Sequence, residues 1–142
     1  MTNPEFRFDE TPISPLMFIE ASAGTGKTYT LQRLVLRFIV EKSIPIESFL
    51  IVTYTEAATA ELSGRVREIL GRAVLGLSPG SESKLTESER KEFGKLRDKW
   101  THDGITLEEA LDRVRRSLEE FDRCAIYTIH SFCRKMLESW AF

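Results

Sequence analysis

The residues with the clearest chemical potential form a small-residue segment from position 21 to position 28. This segment ends in Gly26-Lys27-Thr28, follows an apolar run at residues 16–19 and precedes a helical pattern of apolar residues. In that context, backbone N–H groups turn inward around phosphate oxygens, and the start of the helix favours the same anion. The pattern predicts a phosphate-binding loop of the P-loop type, although Ala21 stands where the regular pattern has glycine.

This loop assigns expected roles to its last residues. Lys27 would reach the β- and γ-phosphates of a nucleotide, and the Thr28 hydroxyl would bind Mg²⁺, so these two are the predicted catalytic residues and Thr28 the predicted metal ligand. The alternative is a glycine-rich turn between a strand and a helix that binds nothing. The predicted nucleotide-binding residues are Ala21, Ser22, Ala23, Gly24, Thr25, Gly26, Lys27, Thr28 and Tyr29.

Two further segments carry hydroxyl groups where strands are predicted to end. Apolar runs at residues 49–52 and 125–127 lead into Thr53-Tyr54-Thr55 and Thr128-Ile129-His130-Ser131. The carboxyl ends of strands in an α/β sheet face the ligand crevice, so both segments should lie beside the P-loop. Hydroxyl groups at helix starts can hold a backbone phosphate, and a tyrosine ring can stack on a base. Taken alone, Thr55 also fits an ordinary helix cap and His130 a cap or hydrogen-bonded polar group.

Composition limits the class of protein. The chain has 142 residues, 42% of them hydrophobic and 30% charged, which predicts one globular domain with a real core and excludes collagen-like and low-complexity chains. No apolar stretch approaches the roughly 20 residues that a membrane span needs, and no signal peptide is visible, so we expect a cytoplasmic protein without membrane contact. The net charge of −2 means that any nucleic-acid contact must be local. Cys124 and Cys133 are expected to be buried thiols, since two cysteines make neither a disulfide framework nor a zinc site.

Three strand-and-helix units are expected to position these segments. The predicted strands at residues 16–19, 49–52 and 125–127 are apolar throughout, and each is followed by residues with helical apolar spacing. Such strands indicate a parallel sheet covered on both faces and joined by right-handed crossovers, which is the α/β class. The terminal helix would line one face with Phe132, Met136, Leu137 and Trp140.

A charged segment separates the second unit from the third. Residues 78–123 carry charges of both signs, two capping boxes at Thr86/Glu89 and Thr106/Glu109, and an apolar stripe from Leu107 to Phe121. We interpret it as a helical insertion on the sheet. The predicted division of the chain is an N-terminal arm (1–15), the P-loop and second strand–helix unit (16–77), the insertion (78–123) and a truncated third unit (124–142).

Together the three motifs resemble the UvrD-like superfamily 1 DNA helicases, in which a P-loop precedes a Thr-aromatic-Thr motif and a Thr-x-His-Ser motif. Residues 20–28, 55–65 and 127–133 are most similar to the RecB family, the beta subunits of exodeoxyribonuclease V, where alanine is usual at position 21. The AddA-type helicase-nucleases are the nearest alternative. The resemblance covers residues 18–142 and implies a RecA-like P-loop NTPase fold.

The resemblance also implies a function. Lys27 and Thr28 would carry ATP and Mg²⁺, and the complete protein would draw one DNA strand through stepwise as an ATP-dependent helicase and exonuclease, in double-strand break repair and recombination, with RecC-like and RecD-like subunits. The residues expected to contact DNA are Thr53, Tyr54, Thr55, Thr128, His130 and Ser131.

Several parts of such a motor are missing from the sequence. No Asp-Glu pair follows the P-loop, and Gln32, the only glutamine, lies within the first predicted helix rather than upstream of the loop. We therefore expect an N-terminal piece of a larger protein that binds ATP weakly at best and does not hydrolyse it. Two other interpretations stay open: a complete small P-loop or kinase-like domain, and a structural fragment whose open sheet edge favours self-association.

Overall fold

Helices dominate the structure, a computed structural model that describes residue 7, residues 9–20 and residues 26–140. Residues 21–25 of the predicted P-loop lie outside the described residues. The described elements are α1 (Lys27–Glu41), β1 (Leu50–Thr53), α2 (Glu56–Leu77), α3 (Glu87–His102), α4 (Leu107–Glu119), β2 (Ala125–Thr128) and α5 (Ile129–Trp140), with 3₁₀ turns at Ile46–Ser48, Glu82–Lys84 and Phe121–Arg123.

The two strands form a parallel pair. The register runs from Leu50 opposite Ala125 to Thr53 opposite Thr128, so the strands end side by side. A parallel pair flanked by helices confirms the α/β class. The expectation of a sheet covered on both faces is wrong for the described residues: Leu50 and Val52 are 50% and 41% exposed, because α2 packs on the opposite face, which carries Ile51.

The structure corrects the prediction of a first strand at residues 16–19. Residues 16–19 form no strand, and the side chains of Leu16 and Phe18 are 88% and 89% exposed. An apolar run becomes a strand only where a neighbouring backbone supplies its hydrogen bonds. Within the described ranges β1 and β2 pair with each other, and neither pairs with residues 16–19.

The core lies among α1, α2, α3 and α4. Its fully enclosed side chains include Leu36 and Val40 of α1 and Leu70 of α2, and also Phe93, Leu96 and Trp100 of α3 and Val114 of α4. The segment predicted as an insertion on the sheet therefore builds much of the core, and α4 packs on α1 and α2. Apolar residues at positions 93, 96 and 100 recur at helical spacing, so one face of the charged helix α3 turns inward.

Threonine side chains cap the starts of four of the described helices: α2, α3 and α4, and also α5, where Thr128 Oγ1 accepts from the Ser131 N–H. Thr55 Oγ1 accepts from the Ala58 N–H at the start of α2, and the capping boxes predicted at Thr86 and Thr106 are both present at the starts of α3 and α4. Such caps satisfy N–H groups that a helix cannot pair internally. They set α2, α3 and α4 apart from α1, described below.

Helix α5 contributes no buried residue. Met136, Leu137 and Trp140 are 38%, 72% and 84% exposed, so the predicted apolar face exists but stays open. Cys133 on this helix is exposed, which corrects the expectation of a buried thiol; Cys124 is half-buried, and burial raises the pKa of its thiol. Among the helices of the described ranges, none combines the length and apolar composition of a membrane span.

Candidate nucleotide and nucleic-acid sites

The start of α1 is open to an anion. Its N-cap, Gly26, has φ 84° and ψ 28°, a left-handed conformation that favours glycine, and makes no side-chain capping bond. No acidic residue lies in the first turn. Lys27 is exposed and Thr28 half-buried at the same place. Gly26 therefore supplies no side-chain acceptor to the start of α1, and such a helix start suits a phosphate ligand.

The nucleotide site is described only in part. Of the predicted residues, Gly26, Lys27, Thr28 and Tyr29 are placed, while Ala21, Ser22, Ala23, Gly24 and Thr25 lie outside the described residues. In the described ranges no group of three or more His, Cys, Asp or Glu side chains could hold a metal ion. A hydroxyl such as that of Thr28, completed by phosphate oxygens, fits the preference of Mg²⁺ for oxygen ligands and few protein contacts.

The carboxyl ends of β1 and β2 bring the two hydroxyl-bearing segments together. Thr53 is the register partner of Thr128, so Thr53-Tyr54-Thr55 and Thr128-Ile129-His130-Ser131 leave the sheet at the same edge. Each segment then starts a helix, α2 in the first case and α5 in the second. Two helix starts and several hydroxyl groups thus occupy one edge of the sheet.

Hydroxyl groups at the end of β1 are mostly engaged within the protein. Thr53 Oγ1 lies 2.5 Å from Thr59 Oγ1, and Thr55 Oγ1 accepts from the Ala58 N–H at 3.1 Å. Tyr54, between them, is 86% exposed. The tyrosine ring is therefore the part of this segment that is presented to solvent.

The end of β2 is tied to α2 by a residue that the sequence analysis did not assign to the site. The Glu56 carboxylate accepts from the hydroxyl groups of Thr128 and Ser131, both at 3.3 Å. Thr128 is 5% exposed, and its Oγ1 also accepts from the Ser131 N–H at 3.1 Å. Thr128 and Ser131 thus help to hold the two segments together, whereas His130 is exposed. An acid in the first position after the Thr55 cap was the available signal for Glu56.

Basic residues that follow these segments along the chain already have partners within the protein. Arg67 binds Asp122 at 2.7 Å, and Arg72 holds the Glu89 carboxylate with both nitrogens of its fork. The hydrogen bond from Arg72 lowers the pKa of Glu89 to about 2. Lys135 donates to Tyr127 Oη at 2.6 Å. Contacts to a nucleic-acid backbone would therefore compete with existing partners at these positions.

Helices α1 and α3 run in the same direction. Arg33, near the start of α1, pairs with Glu92, near the start of α3, and Glu41 at the end of α1 accepts from Trp100 Nε1 near the end of α3. Helix α2 also runs with α3, because Arg72 contacts Glu89 and the later Gly76 contacts the later Phe93. Helices α1 and α2 are thus parallel.

This alignment relates the P-loop end to the strand ends. The Gln32 amide, in the orientation that satisfies both its ends, donates to Arg65 O at 2.8 Å. Lys27 precedes Gln32 by five residues and Ala60 precedes Arg65 by five. Because each residue rises about 1.5 Å along a helix, the start of α1 lies level with the first turns of α2, which follow the end of β1 directly.

Comparison with known proteins identifies the family of the chain. The UvrD/REP helicase N-terminal domain matches residues 3–142. The chain belongs to the UvrD/REP helicase N-terminal domain family. As a member of that family it is similar to the "RecBCD enzyme subunit RecB" of Haemophilus influenzae (36% identical, 92% of this chain and 11% of the relative), Escherichia coli K12 (34%, 92% and 11%) and Chlamydia trachomatis (37%, 89% and 12%). The chain of this UvrD/REP family member thus spans 11–12% of the length of these relatives.

Proposed function

We propose that this chain binds ATP with Mg²⁺ and provides part of the single-stranded DNA contact surface of a RecB-like helicase. The proposed architecture is the first RecA-like motor domain. The observation that carries the proposal is the register of the parallel strands, in which Thr53 and Thr128 are partners and two predicted DNA-contacting segments adjoin. The uncapped start of α1 lies level with that edge, which supports a nucleotide beside the DNA.

The nucleotide part rests on α1. Lys27 would neutralise the β- and γ-phosphates, the N–H groups at the helix start would bind phosphate oxygens, and Thr28 would bind Mg²⁺. Mg²⁺ would offset the phosphate charge. Because no Asp-Glu pair follows the loop in this sequence, we propose that these 142 residues bind ATP without turning it over.

The DNA part rests on the exposed residues at the strand ends. Tyr54 would stack on a base, and Thr55 and His130 would contact sugar and phosphate. Thr53, Thr128 and Ser131 would act from behind this surface, since their hydroxyl groups bond to other side chains. The Thr55 hydroxyl accepts from the Ala58 N–H and would donate its own proton to a phosphate oxygen. Three of the six predicted residues would thus contact DNA, and the other three would hold the two segments in place.

The relatives share the name "RecBCD enzyme subunit RecB", and on that basis we extend the proposal to the whole protein. A RecB-like subunit would work with RecC-like and RecD-like subunits on the ends of double-stranded DNA, as an ATP-dependent helicase and exonuclease in double-strand break repair and recombination. This part rests on similarity over 11–12% of each relative.

Titration of the chain with a fluorescent ATP analogue and Mg²⁺ tests the nucleotide site. Lys27→Ala should weaken binding about 10-fold or more, because a hydrogen bond to a charged group contributes roughly 1.5–3 kcal/mol. Lys42→Ala, which removes an exposed lysine at the other end of α1, is the matched control and should bind as the unaltered chain does. Equal affinity in both variants would contradict the site, and phosphate release that depends on Lys27 would contradict the absence of turnover.

Fluorescence anisotropy with an oligo(dT) strand tests the DNA surface. Tyr54→Ala should weaken binding about 5-fold or more, since stacking on one base contributes roughly 1–3 kcal/mol. Trp140→Ala removes another exposed aromatic ring, at the far end of α5, and serves as the control. If the two variants lose affinity equally, the tyrosine is not a stacking platform.

A further inference from the structure

A buried ionic cluster lies beside the start of α1. The Arg33 guanidinium binds the Glu92 carboxylate in a bidentate pair, with Nε–Oε1 at 2.5 Å and Nη2–Oε2 at 2.7 Å. The side chains of this pair are 8% and 9% exposed. Tyr29 completes the cluster: its ring centroid lies 3.2 Å from Arg33 Cζ, and its hydroxyl donates to Glu92 Oε2 at 3.3 Å. The cluster therefore joins α3 to the first turn of α1.

Such a cluster restrains the two helices that it joins. A bidentate arginine–carboxylate pair fixes both distance and orientation, and removing one partner from a buried pair leaves a charge without compensation. Burial and, to a lesser degree, the nearby Glu92 carboxylate raise the pKa of the Tyr29 hydroxyl. Tyr29 directly follows Thr28, so the link reaches the residues proposed to hold phosphate and Mg²⁺.

The start of α1 needs such an anchor more than the other long helices do. Helices α2, α3 and α4 are each closed by a threonine that accepts an N–H at their start, whereas α1 begins at Gly26 without a side-chain cap. An uncapped first turn frays readily. Within the described ranges, Glu92 of α3 contacts the start of α1 from outside that helix, through its bonds to Tyr29 and Arg33.

We infer that Glu92 is a positioning residue for the nucleotide: through Arg33 and Tyr29 it holds the first turn of α1 in its phosphate-binding geometry. The inference rests on the proposed ATP site. Because coupling between two sites is reciprocal, a bound nucleotide stabilises α3 to the extent that Glu92 strengthens nucleotide binding. Helix α3 of the charged segment thus responds to occupation of the P-loop.

Helix α3 offers a matched control one turn away. Glu89 forms the same kind of bidentate pair, but with Arg72 of α2, which lies away from the start of α1. Glutamine at position 89 keeps the capping box, which accepts either residue. Glu92→Gln and Glu89→Gln therefore remove one anchoring charge each from the same helix, and only the first acts on α1.

The experiment measures the affinity of the 142-residue chain for the fluorescent ATP analogue with Mg²⁺, together with hydrogen exchange of α3. Glu92→Gln should weaken nucleotide binding about 5-fold, the lower end of common coupling strengths, while Glu89→Gln should change it less than about 2-fold. In the unaltered chain, MgATP should slow amide exchange in residues 90–96 more than in the buried residues of α4, which report any stabilisation of the chain as a whole. Glu92→Gln should lose this slowing, and Glu89→Gln should keep it.

The outcomes separate this inference from the proposed function. If Lys27→Ala weakens nucleotide binding but Glu92→Gln and Glu89→Gln bind equally, the inference is overturned and the ATP site stands. If the unaltered chain shows no Lys27-dependent binding, the proposed function fails and the inference with it. Should Glu92→Gln not fold, exchange in the unaltered chain decides: a merely structural pair predicts that MgATP slows residues 90–96 no more than the buried residues of α4, because ligand binding slows exchange through global unfolding throughout the chain.

Discussion

Gly76 lies where α2 and α3 make their closest approach. A Cβ atom added to Gly76 would lie 2.6 Å from Phe93 Cγ and 2.7 Å from Cδ2, well inside van der Waals contact. Phe93 is only 2% exposed, so its ring has no room to move aside. Gly64, in the same helix, is exposed and has nothing within 4 Å of such an atom. Alanine at the two positions should therefore act in opposite directions.

The magnitude follows from two opposing effects. Glycine to alanine inside a helix stabilises by about 1 kcal/mol, and Gly64→Ala should show that gain. At Gly76 the same gain is offset by overpacking, which typically costs about 1–3 kcal/mol and here should lie at the upper end because two ring atoms are overlapped. We expect Gly76→Ala to lower the free energy of unfolding by about 1–2 kcal/mol, so the two variants should differ by about 2–3 kcal/mol.

Urea and thermal denaturation, followed by circular dichroism at 222 nm, measure this difference. For a chain of this size, about 1 kcal/mol corresponds to a change in Tm of roughly 2–4 °C. Gly64→Ala should raise Tm and Gly76→Ala should lower it, with unchanged dependence on denaturant. A Gly76→Ala chain as stable as Gly64→Ala would refute the close packing of α2 on α3.

Two further predictions concern the caps and ion pairs of the charged segment. Thr106→Ala removes the capping-box bond that the Thr106 hydroxyl accepts from the Glu109 N–H, and it should lower the free energy of unfolding by about 1 kcal/mol in urea titrations. Thr101→Ala, at an exposed position in α3, should not, and equal midpoints would contradict the cap. The hydrogen bond from Arg72 lowers the pKa of Glu89 from 4.5 to about 2. The stabilisation that the ionised Glu89 carboxylate gives the folded chain is therefore complete above pH 4.5 and is lost as the pH falls towards 2. After solvent screening, acid should lower the free energy of unfolding by about 1 kcal/mol through this group. This loss should be absent in Glu89→Gln, and the same acid dependence in the variant and the unaltered chain would contradict the ion pair.

Local chemistry was the predictable part of the fold. The caps at Thr86 and Thr106 and the buried stripe of α2 depend on residues within one or two turns of each other, and all are present as predicted. The strand at residues 16–19 was predicted from apolar character alone, which does not specify a pairing partner. The inward face of α3 was missed because charges dominate its composition, although Phe93 and Trp100 are fully enclosed.

For the candidate site, the sequence predicted where the residues lie better than it predicted which atoms their side chains contact. Adjacent ends of parallel strands follow from topology, and Thr53 and Thr128 are indeed partners. The same sequence does not reveal whether a hydroxyl caps a helix or faces a ligand, so the burial of Thr128 was not foreseen. Nor could it reveal that Arg33 binds Glu92, since 59 residues separate the two.

The pair of carboxylates on α3 makes residues 78–123 inseparable from the rest of the chain. Glu89 and Glu92 lie one turn apart but are tied to different helices, so α3 can neither slide nor rotate by a turn without releasing both arginines. If a short turn joined α2 directly to β2, Arg33 would lose its carboxylate partner, and the apolar side chains of α1 and α2 that now pack against α3 and α4 would be exposed to water. Removal of this segment would therefore require polar substitutions on α1 and α2 to avoid a large exposed apolar patch.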